Sequence, residues 1–319
     1  MSETLESTES LERNYQPPPE AVIPDIKTHD NTMMSAFNYC ERLYAISHFL
    51  NRRPRERSAA LGWGGLVHVG MNSFYTQYME DDIQERPRDV IAATERGIAS
   101  MEEAGFEDPI DDFRTLGRAQ EVLIGYAKKY QEDSDITKIS FTETPFDVVF
   151  PDGFKWGGIM DMWCTYHGEE YPVEHKTTSR YGATYFDEFK RGPQPLGYVL
   201  AGAQLQGTWP AGVLFNIIVN RKASWEFVRR PILYPGWLVA ECRDMQIENY
   251  KAIVEKRERT KHEYDVWDAK IWRPNFYNCV GKYGKCSAFD ICHSMPENRE
   301  KVLAINFEEN EWNWREVRD

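Results

Sequence analysis

The chain has 319 residues, of which 41% are hydrophobic and 13% aromatic, and this is enough apolar material for a substantial buried core. Its formal net charge of −13 argues against a protein that coats nucleic acid through a wide basic surface. No apolar stretch reaches the roughly 18 residues of a membrane span, and the acidic, polar N-terminus differs from a secretory signal. We therefore expect a cytoplasmic protein that makes no use of a membrane.

The first predicted elements are a tail and a helical part. Residues 1–30 combine few apolar residues with many acids and three consecutive prolines, Pro17–Pro19, so we expect a disordered acidic tail. Residues 31–135 show apolar side chains at the spacing of an α-helix. Within them, helices are predicted at residues 33–50, 58–79, 89–105 and 111–130.

A change of period marks the next part, residues 136–260. Three stretches rich in β-branched and aromatic residues, separated by short turns, predict a meander of strands. They are followed by a helical stretch, two more strands and a long helix. The predicted strands are residues 136–150, 155–167, 169–179, 211–221 and 224–233, and the helices are residues 181–206 and 237–259. This order predicts an α/β fold with a central sheet flanked by helices, followed by a loop-rich segment, residues 261–319.

The third strand of the meander ends in the sequence YPVEHKTTS, where Glu174 and Lys176 lie two residues apart. Side chains at this spacing leave a strand on the same face. The spacing alone is common, because four copies of the acid-x-lysine pattern occur, but only Glu174 ends an apolar strand. A hairpin with the preceding strand sets Asp161 beside it. An exposed ion pair is the simplest alternative interpretation.

Two neighbouring carboxylates repel each other unless a cation lies between them, and oxygen ligands of this kind select Mg²⁺ or Mn²⁺. A lysine on the same face can stabilise charge on a phosphate or orient a water molecule. Asp161, Glu174 and Lys176 are therefore predicted to be catalytic, in a metal-dependent hydrolysis of phosphodiester bonds.

Residues 33–293 also resemble a known family, the RecB-type nucleases of the PD-(D/E)XK superfamily, which include CRISPR-associated RecB-like exonucleases. The resemblance is carried by GGIMD, which ends in Asp161, by VEHK, which contains Glu174 and Lys176, by the histidine of GGLVHVGMNSF, and by the Gln-x-x-x-Tyr pattern of Gln194 and Tyr198. It implies a PD-(D/E)XK (restriction-endonuclease-like) core in residues 136–260.

The resemblance also implies roles for individual residues. His68, Asp161 and Glu174 are expected to bind the metal through their side chains, and His175 through its backbone carbonyl. Lys176 is expected to position the nucleophilic water. Gln194 and Tyr198 are expected to contact the DNA backbone near the scissile phosphate. Taken alone, the histidine is better interpreted as a core residue of an apolar helix; the other motifs favour the metal site.

Four of the six cysteines suggest a second site. Cys40 lies upstream of the predicted core and Cys279, Cys286 and Cys292 lie downstream, as in the RecB-like subgroup that carries an iron–sulfur cluster. The resemblance implies a structural [4Fe–4S] cluster, which needs four cysteine ligands. One spacing departs from the subgroup, because six residues separate Cys279 from Cys286 where two are usual. Zn²⁺ bound by four cysteines, or by three and His293, is the alternative, and free thiols are the simplest interpretation. The remaining two cysteines, Cys164 and Cys242, are predicted to lie in the core.

Together these patterns predict a Mg²⁺- or Mn²⁺-dependent DNA exonuclease that acts on single-stranded or free ends. The alternative is a DNA-end binding or processing subunit, with weak or partner-dependent cleavage, in a recombination, repair or CRISPR complex. The tryptophan-rich stretch NEWNWREV, residues 310–317, is then a candidate segment for docking a protein partner. Three basic stretches are candidate phosphate contacts or ordinary solvated surface: residues 51–57, 220–222 and 228–231.

Overall fold

The computed structural model describes residues 28–56, 58–110, 112–150, 153–281, 284–313 and residue 315. Most of the predicted tail lies outside the described residues, but its last three positions, residues 28–30, do not. Of these, His29 and Asp30 form a buried strand where the composition predicted a disordered tail. Asp30 also caps the following helix by accepting a hydrogen bond from the backbone N–H of Met33, and these contacts order the segment earlier than its composition suggested.

The described elements follow the predicted order, with helices first, then the meander, a helix, two strands and a long helix. The strands are β1 (His29–Asp30), β2 (Arg52–Pro54), β3 (Ile136–Val149), β4 (Lys155–Tyr166), β5 (Glu169–Thr178), β6 (Val213–Arg221), β7 (Ser224–Ile232), β8 (Val280–Gly281), β9 (Gly284–Lys285) and β10 (Phe307–Glu309). The α-helices are α1 (Asn31–Tyr39), α2 (Glu41–Tyr44), α3 (Ala59–Ile83), α4 (Val90–Glu103), α5 (Leu116–Lys129), α6 (Pro193–Gln206), α7 (Gly236–Arg259), α8 (Phe289–His293) and α9 (Arg299–Asn306).

The main sheet is mixed and has the strand order β1-β4-β5-β6-β7, with β3 paired to β4. β5 and β6 are parallel, whereas β3–β4, β4–β5 and β6–β7 are antiparallel. The β4–β5 ladder ends at the pair Met162–Val173, although both strands continue. Beyond this pair β4 stays with β3 and β5 stays with β6, so the two central strands diverge. We call this point the fork.

Helices cover both faces of the sheet. On one face, Val173, Leu214 and Phe227 pack in a core with side chains of α3, α4 and α5. On the other face, Phe215 and Ile217 pack with side chains of α1, α6 and α7. The central mixed sheet flanked by helices confirms the predicted fold class.

The C-terminal segment packs back onto residues near the start of the described chain. β10 pairs with β2, and Ile46 shares a small core with Phe307 and Ile291. Arg53 pairs with Glu308 at 2.6 Å in this ladder, so part of the first basic stretch is engaged in surface ion pairs. No helix in the described ranges is long and apolar enough to cross a membrane.

The tryptophan-rich stretch is also packed against its own chain where it is described. The indole N–H of Trp312 donates a hydrogen bond of 2.7 Å to Asp30, and the ring lies against His48. These contacts occupy the indole N–H and part of the ring within the fold, and the prediction that the stretch docks a protein partner stays a prediction.

Candidate active site

Asp161 lies at the fork. It lies next to Met162 on β4, whose pair with Val173 is the last of the β4–β5 ladder, and the numbering of that ladder would next bring Glu174 against it. The side chain is 2% exposed, and its Oδ2 accepts a hydrogen bond of 2.8 Å from the backbone N–H of His175. Burial first, and then the charge of Glu174, raise the pKa of Asp161 well above its usual range. This carboxylate thus bridges two strands that no longer pair through their backbones.

Glu174 is held by two donors on the α6 side of the sheet. Lys176 contacts one carboxylate oxygen, and the Gln194 side-chain amide donates to the other at 3.1 Å. Lys176 in turn donates to the Gln194 side-chain carbonyl at 3.1 Å, which closes a ring of three groups. Glu174 is only 2% exposed, so the interpretation as an exposed ion pair is wrong.

The lysine in this ring stays charged. Burial acts to lower the pKa of Lys176, but the charge and hydrogen bond of Glu174 outweigh it, and the pKa is raised above its ordinary value. A protonated ammonium group is therefore fixed next to the two carboxylates.

Helix α6 brings Gln194 and Tyr198 to the site. The helix begins at Pro193, which suits a first turn, and it is followed by Gly207 in the left-handed region at φ +67°. Tyr198 is 4% exposed, and its hydroxyl lies 3.2 Å from the Gln194 amide nitrogen while donating to the backbone carbonyl of Ile159 at 2.9 Å. The tyrosine therefore positions the glutamine and ties α6 to β4.

His68 reaches Asp161 from helix α3, on the other side of the fork. Its Nδ1 lies 3.6 Å from the Asp161 Oδ2, and its ring meets the His175 ring edge to face at 6.0 Å. The interpretation as an isolated core histidine is therefore less favourable, because the imidazole faces a buried carboxylate and is partly accessible.

Glu143 is a further candidate that the sequence analysis missed. It lies between the pairs Thr142–Met162 and Thr144–Met160, which places it opposite Asp161 on β3. Ligand atoms of His68, Glu143 and Asp161 all lie within 4.8 Å of one another. Its φ of +41° departs from strand geometry, a strain that in non-glycine residues tends to occur at functional sites. The register of the β3–β4 hairpin was the sequence signal that could have identified Glu143.

The side chain of His175 has a structural role on the opposite face of β5. Its Nδ1 lies 2.9 Å from the Asn216 amide nitrogen, and its ring stacks on Tyr75 at 5.6 Å. Burial, followed by the nearby charge of Arg229, lowers the pKa of His175 to about 3, so the ring is neutral. Only the backbone of this residue faces the fork.

Arg229, from the third basic stretch, is also placed in the interior. Its guanidinium donates to the hydroxyls of Tyr75 and Tyr126 at 2.8 and 2.9 Å and pairs with Asp133. Since these contacts occupy a nearly buried group, the prediction of a phosphate contact is wrong for this arginine.

Cys40, Cys279, Cys286 and Cys292 line one cavity, together with Phe289 and Tyr39. The backbone N–H of Asn275 donates to the Cys40 sulfur at 3.4 Å. In the described part of the chain, no three cysteine sulfurs lie within 4.8 Å of one another.

The other predictions for the cysteines, and the one for His293, have different outcomes. Cys164 and Cys242 are buried in the two main cores, as predicted. His293 stacks on Phe289 within its own helix and does not line the cysteine cavity. Burial raises the pKa of Cys292 to about 11, which leaves it a thiol until something binds it.

A helix-flanked mixed sheet, with three carboxylates in register beside a charged lysine where its central strands part, is typical of metal-dependent nucleases. The sequence model of the PD-(D/E)XK nuclease superfamily matches residues 32–293, and the chain belongs to that superfamily. Membership indicates nuclease activity with divalent metals and with DNA as substrate. No curated protein sequence matches the chain.

Proposed function

We propose that this chain is a Mg²⁺- or Mn²⁺-dependent DNA exonuclease of the RecB-like type, acting on single-stranded ends. The observation that carries the proposal is the ring of Glu174, Lys176 and Gln194 beside Asp161 at the fork. The resemblance of the four spaced motifs to RecB-like exonucleases supports DNA ends as the substrate, and recombination, repair or CRISPR-type processing as the setting.

The donor set fits a hard divalent cation. Ligand atoms of His68, Glu143 and Asp161 lie within 4.8 Å of one another, and Glu174 follows next on β5; carboxylates this close are stable together only with a cation or a proton between them. Their oxygens, the His175 backbone carbonyl and one imidazole, His68, form a set suited to Mg²⁺ or Mn²⁺. When bound, the cation lowers the pKa of water and stabilises charge on phosphoryl oxygens.

The chain's own residues perform the remaining tasks. Lys176 presents a fixed positive charge to the phosphate, and this kind of preorganised donor acts most strongly where water is excluded. Gln194 orients both Lys176 and Glu174, and its place at the first turn of α6 leaves it accessible to a DNA backbone. Tyr198 holds Gln194 in position from beneath.

The cysteine cavity is proposed to hold a [4Fe–4S] cluster. Four cysteines around one cavity supply the four ligands that this cluster needs. A tetrahedral zinc site with Zn–S bonds of about 2.3 Å needs sulfurs about 3.8 Å apart. Among the described residues no three of these sulfurs lie within 4.8 Å of one another, so their spacing by itself supports neither site, and the proposal rests on the four cysteines that line one cavity. The cluster would join Cys40 to the C-terminal segment and act as a cross-link.

The nuclease is tested with end-labelled linear DNA and with closed circular single-stranded DNA, in Mn²⁺ or Mg²⁺. Linear single strands should be degraded from their ends and circles should survive, while Asp161→Ala and Lys176→Ala should be inactive. Cleavage of circles would replace the exonuclease with an endonuclease. Equal activity in the wild type and both variants would refute the assigned site.

The cluster is tested by anaerobic purification followed by iron, sulfide and zinc analysis. Each of Cys40→Ser, Cys279→Ser, Cys286→Ser and Cys292→Ser should lower the iron content. Cys242→Ser is the matched control, since this buried cysteine lies outside the cavity, and should retain iron. A colourless wild-type protein that contains zinc, or no metal, would reject the cluster.

A further inference from the structure

An open groove lies beside the candidate active site, between the segment that precedes α6 and the start of α7. It has a volume of about 410 Å³, within the roughly 300 to 1,000 Å³ range of small-ligand pockets. Both aromatic and positively charged side chains line its walls. The lining includes Phe186, Lys190, Arg191, Arg230, Leu233 and Trp237.

Strand register places this groove on the catalytic face of the sheet. Glu174 pairs with Phe215 across β5–β6, and Phe215 pairs with Arg230 across β6–β7. Side chains of such neighbours point to the same face, and two strand spacings separate Glu174 from Arg230 by about 10 Å. At the 3.4 Å rise per nucleotide of a stacked DNA strand, this distance corresponds to at most about three nucleotides, and an unstacked single strand covers it with fewer.

The chain between the two sites is firmly packed. Phe189 stacks on Phe215 with ring centroids 4.6 Å apart, and its backbone carbonyl accepts a hydrogen bond of 2.8 Å from the Tyr234 hydroxyl. The segment that carries Lys190 and Arg191 is thereby fixed over the sheet, between Glu174 and the groove. A DNA strand that leaves the catalytic site therefore meets a surface that is already formed.

The positive charges of the groove are available to a ligand. Among the described residues, neither Arg191 nor Arg230 forms an ion pair, and Arg230 only lies over the Phe186 ring at 4.7 Å. By contrast, Arg52 and Arg53 are paired with glutamates. In a chain of net charge −13, two arginines that line one groove and have no carboxylate partner suit a polyanion.

Trp237 supplies the second element of recognition. Its side chain is on the first turn of α7 and is 63% exposed, although a tryptophan usually buries most of its surface. A large exposed ring next to arginines is the arrangement on which unpaired bases stack. Bases inside a duplex already stack on each other and cannot use it.

We propose that this groove binds the single-stranded part of the DNA substrate within about three nucleotides of the scissile phosphate. Trp237 stacks on a base, while Arg191 and Arg230 contact phosphates. This inference rests on the proposed nuclease function, and it assigns to the groove the preference for single strands over duplexes.

The test measures binding by the full-length protein, with Ca²⁺ replacing Mg²⁺, to a fluorescently labelled oligothymidine and to a hairpin duplex. Trp237→Ala should weaken binding of the single strand by about 5- to 150-fold, the loss expected for one stacked base. Trp237→Phe should recover most of it. Trp225→Ala is the matched control, because that partly exposed tryptophan lies over Arg118 instead, and should bind as the wild type does.

Salt dependence separates the arginines from the ring. The double variant Arg191→Gln, Arg230→Gln should lower the slope of log K against log salt by about 1.4, at ~0.7 per phosphate contact in single strands. Arg221→Gln removes an arginine paired with Glu226 and should leave the slope unchanged. Unchanged single-strand affinity in Trp237→Ala, or equal affinity of the wild type for duplex and single strand, would overturn the proposal.

A separate assay distinguishes failure of the groove from failure of the nuclease. Wild type and Asp161→Ala are compared on bis(p-nitrophenyl) phosphate with Mn²⁺, a diester too small to reach the groove. If only the wild type turns over the diester and Trp237→Ala binds DNA as the wild type does, the proposed role of the groove is refuted and the proposed nuclease function is retained. No turnover, with weakened binding in that variant, keeps the groove as a binding site and refutes the nuclease.

Discussion

Asp161→Asn tests whether the fork is built around a cation. The amide keeps an oxygen that can accept the hydrogen bond from His175 but removes one of the facing charges. For two ionised carboxylates at the roughly 5 Å spacing of opposite side chains in a paired sheet, the repulsion is about 3 kcal/mol at an effective dielectric constant near 20. This is an upper bound, because the strands have parted at the fork, the raised pKa of Asp161 favours its neutral form, and Lys176 offsets part of the repulsion. The metal-free variant should therefore be at least as stable as the metal-free wild type.

Addition of Mn²⁺ should reverse that order. At a concentration about 100 times its dissociation constant, a ligand stabilises the native state by ~2.7 kcal/mol. For a chain of 319 residues, with an unfolding entropy of about 2.1 cal/mol/K per residue, this raises Tm by about 4 °C. Asp161→Asn should lose most of the shift, as measured by scanning calorimetry over a Mn²⁺ titration.

The matched control is Asp135→Asn, an exposed carboxylate just before β3, which should show the wild-type shift. A full Mn²⁺ shift in Asp161→Asn, or a metal-free variant clearly less stable than the wild type, would refute the reasoning. Either result would mean that the fork is stabilised by its hydrogen bonds and not by a cation.

Three further predictions concern single positions. In a cleavage assay, Lys176→Met should reduce kcat by roughly 10²- to 10³-fold, because the site loses one preorganised donor. Lys251→Met, on the surface of α7, is the control and should leave kcat unchanged. Gly197→Ala should lower the free energy of unfolding in urea by about 1–3 kcal/mol, because its new Cβ would lie 2.6 Å from a tryptophan ring. Gly65→Ala is the control, since nothing lies within 4 Å of its new Cβ, and it should not destabilise the protein. Equal losses of stability in the two variants would reject this explanation. Burial lowers the pKa of His48 to about 4, so stability is full above pH 6.5 and falls as the pH drops towards 4; the loss at pH 5 is about 2 kcal/mol. His48→Gln should flatten that profile, and an unchanged profile would contradict it.

Much of the fold followed from period and turn chemistry. The switch from helical spacing to β-branched stretches located the meander, and the hairpin register alone set Asp161 opposite Glu174. The β3–β4 register likewise brings Glu143 next to Asp161, between the pairs Thr142–Met162 and Thr144–Met160, and this signal could have identified it. The positive φ of Glu143, in contrast, is a property of the folded backbone that the sequence pattern does not show.

Other parts of the structure depend on contacts that no local pattern encodes. Arg229 looked like its neighbour Arg230 in sequence, yet one is enclosed by Tyr126 and Asp133 while the other lies in an open groove. Because side chains alternate along β7, the two arginines point to opposite faces of the sheet. Which helices cover each face depends on the packing of distant parts of the chain. The strand at His29 is a similar case, since two residues have no detectable period.

Asp30 joins the two ends of the described chain through a single side chain. One carboxylate oxygen accepts the N–H at the start of α1, and the other accepts the indole N–H of Trp312 at 2.7 Å. Burial raises the pKa of Asp30, so the group depends on both donors. A C-terminal truncation that removes Trp312 would leave a buried acceptor unsatisfied, at a cost of about 1–3 kcal/mol. For protein production, affinity tags therefore belong after this tryptophan, and shortened versions that end before it should express less well.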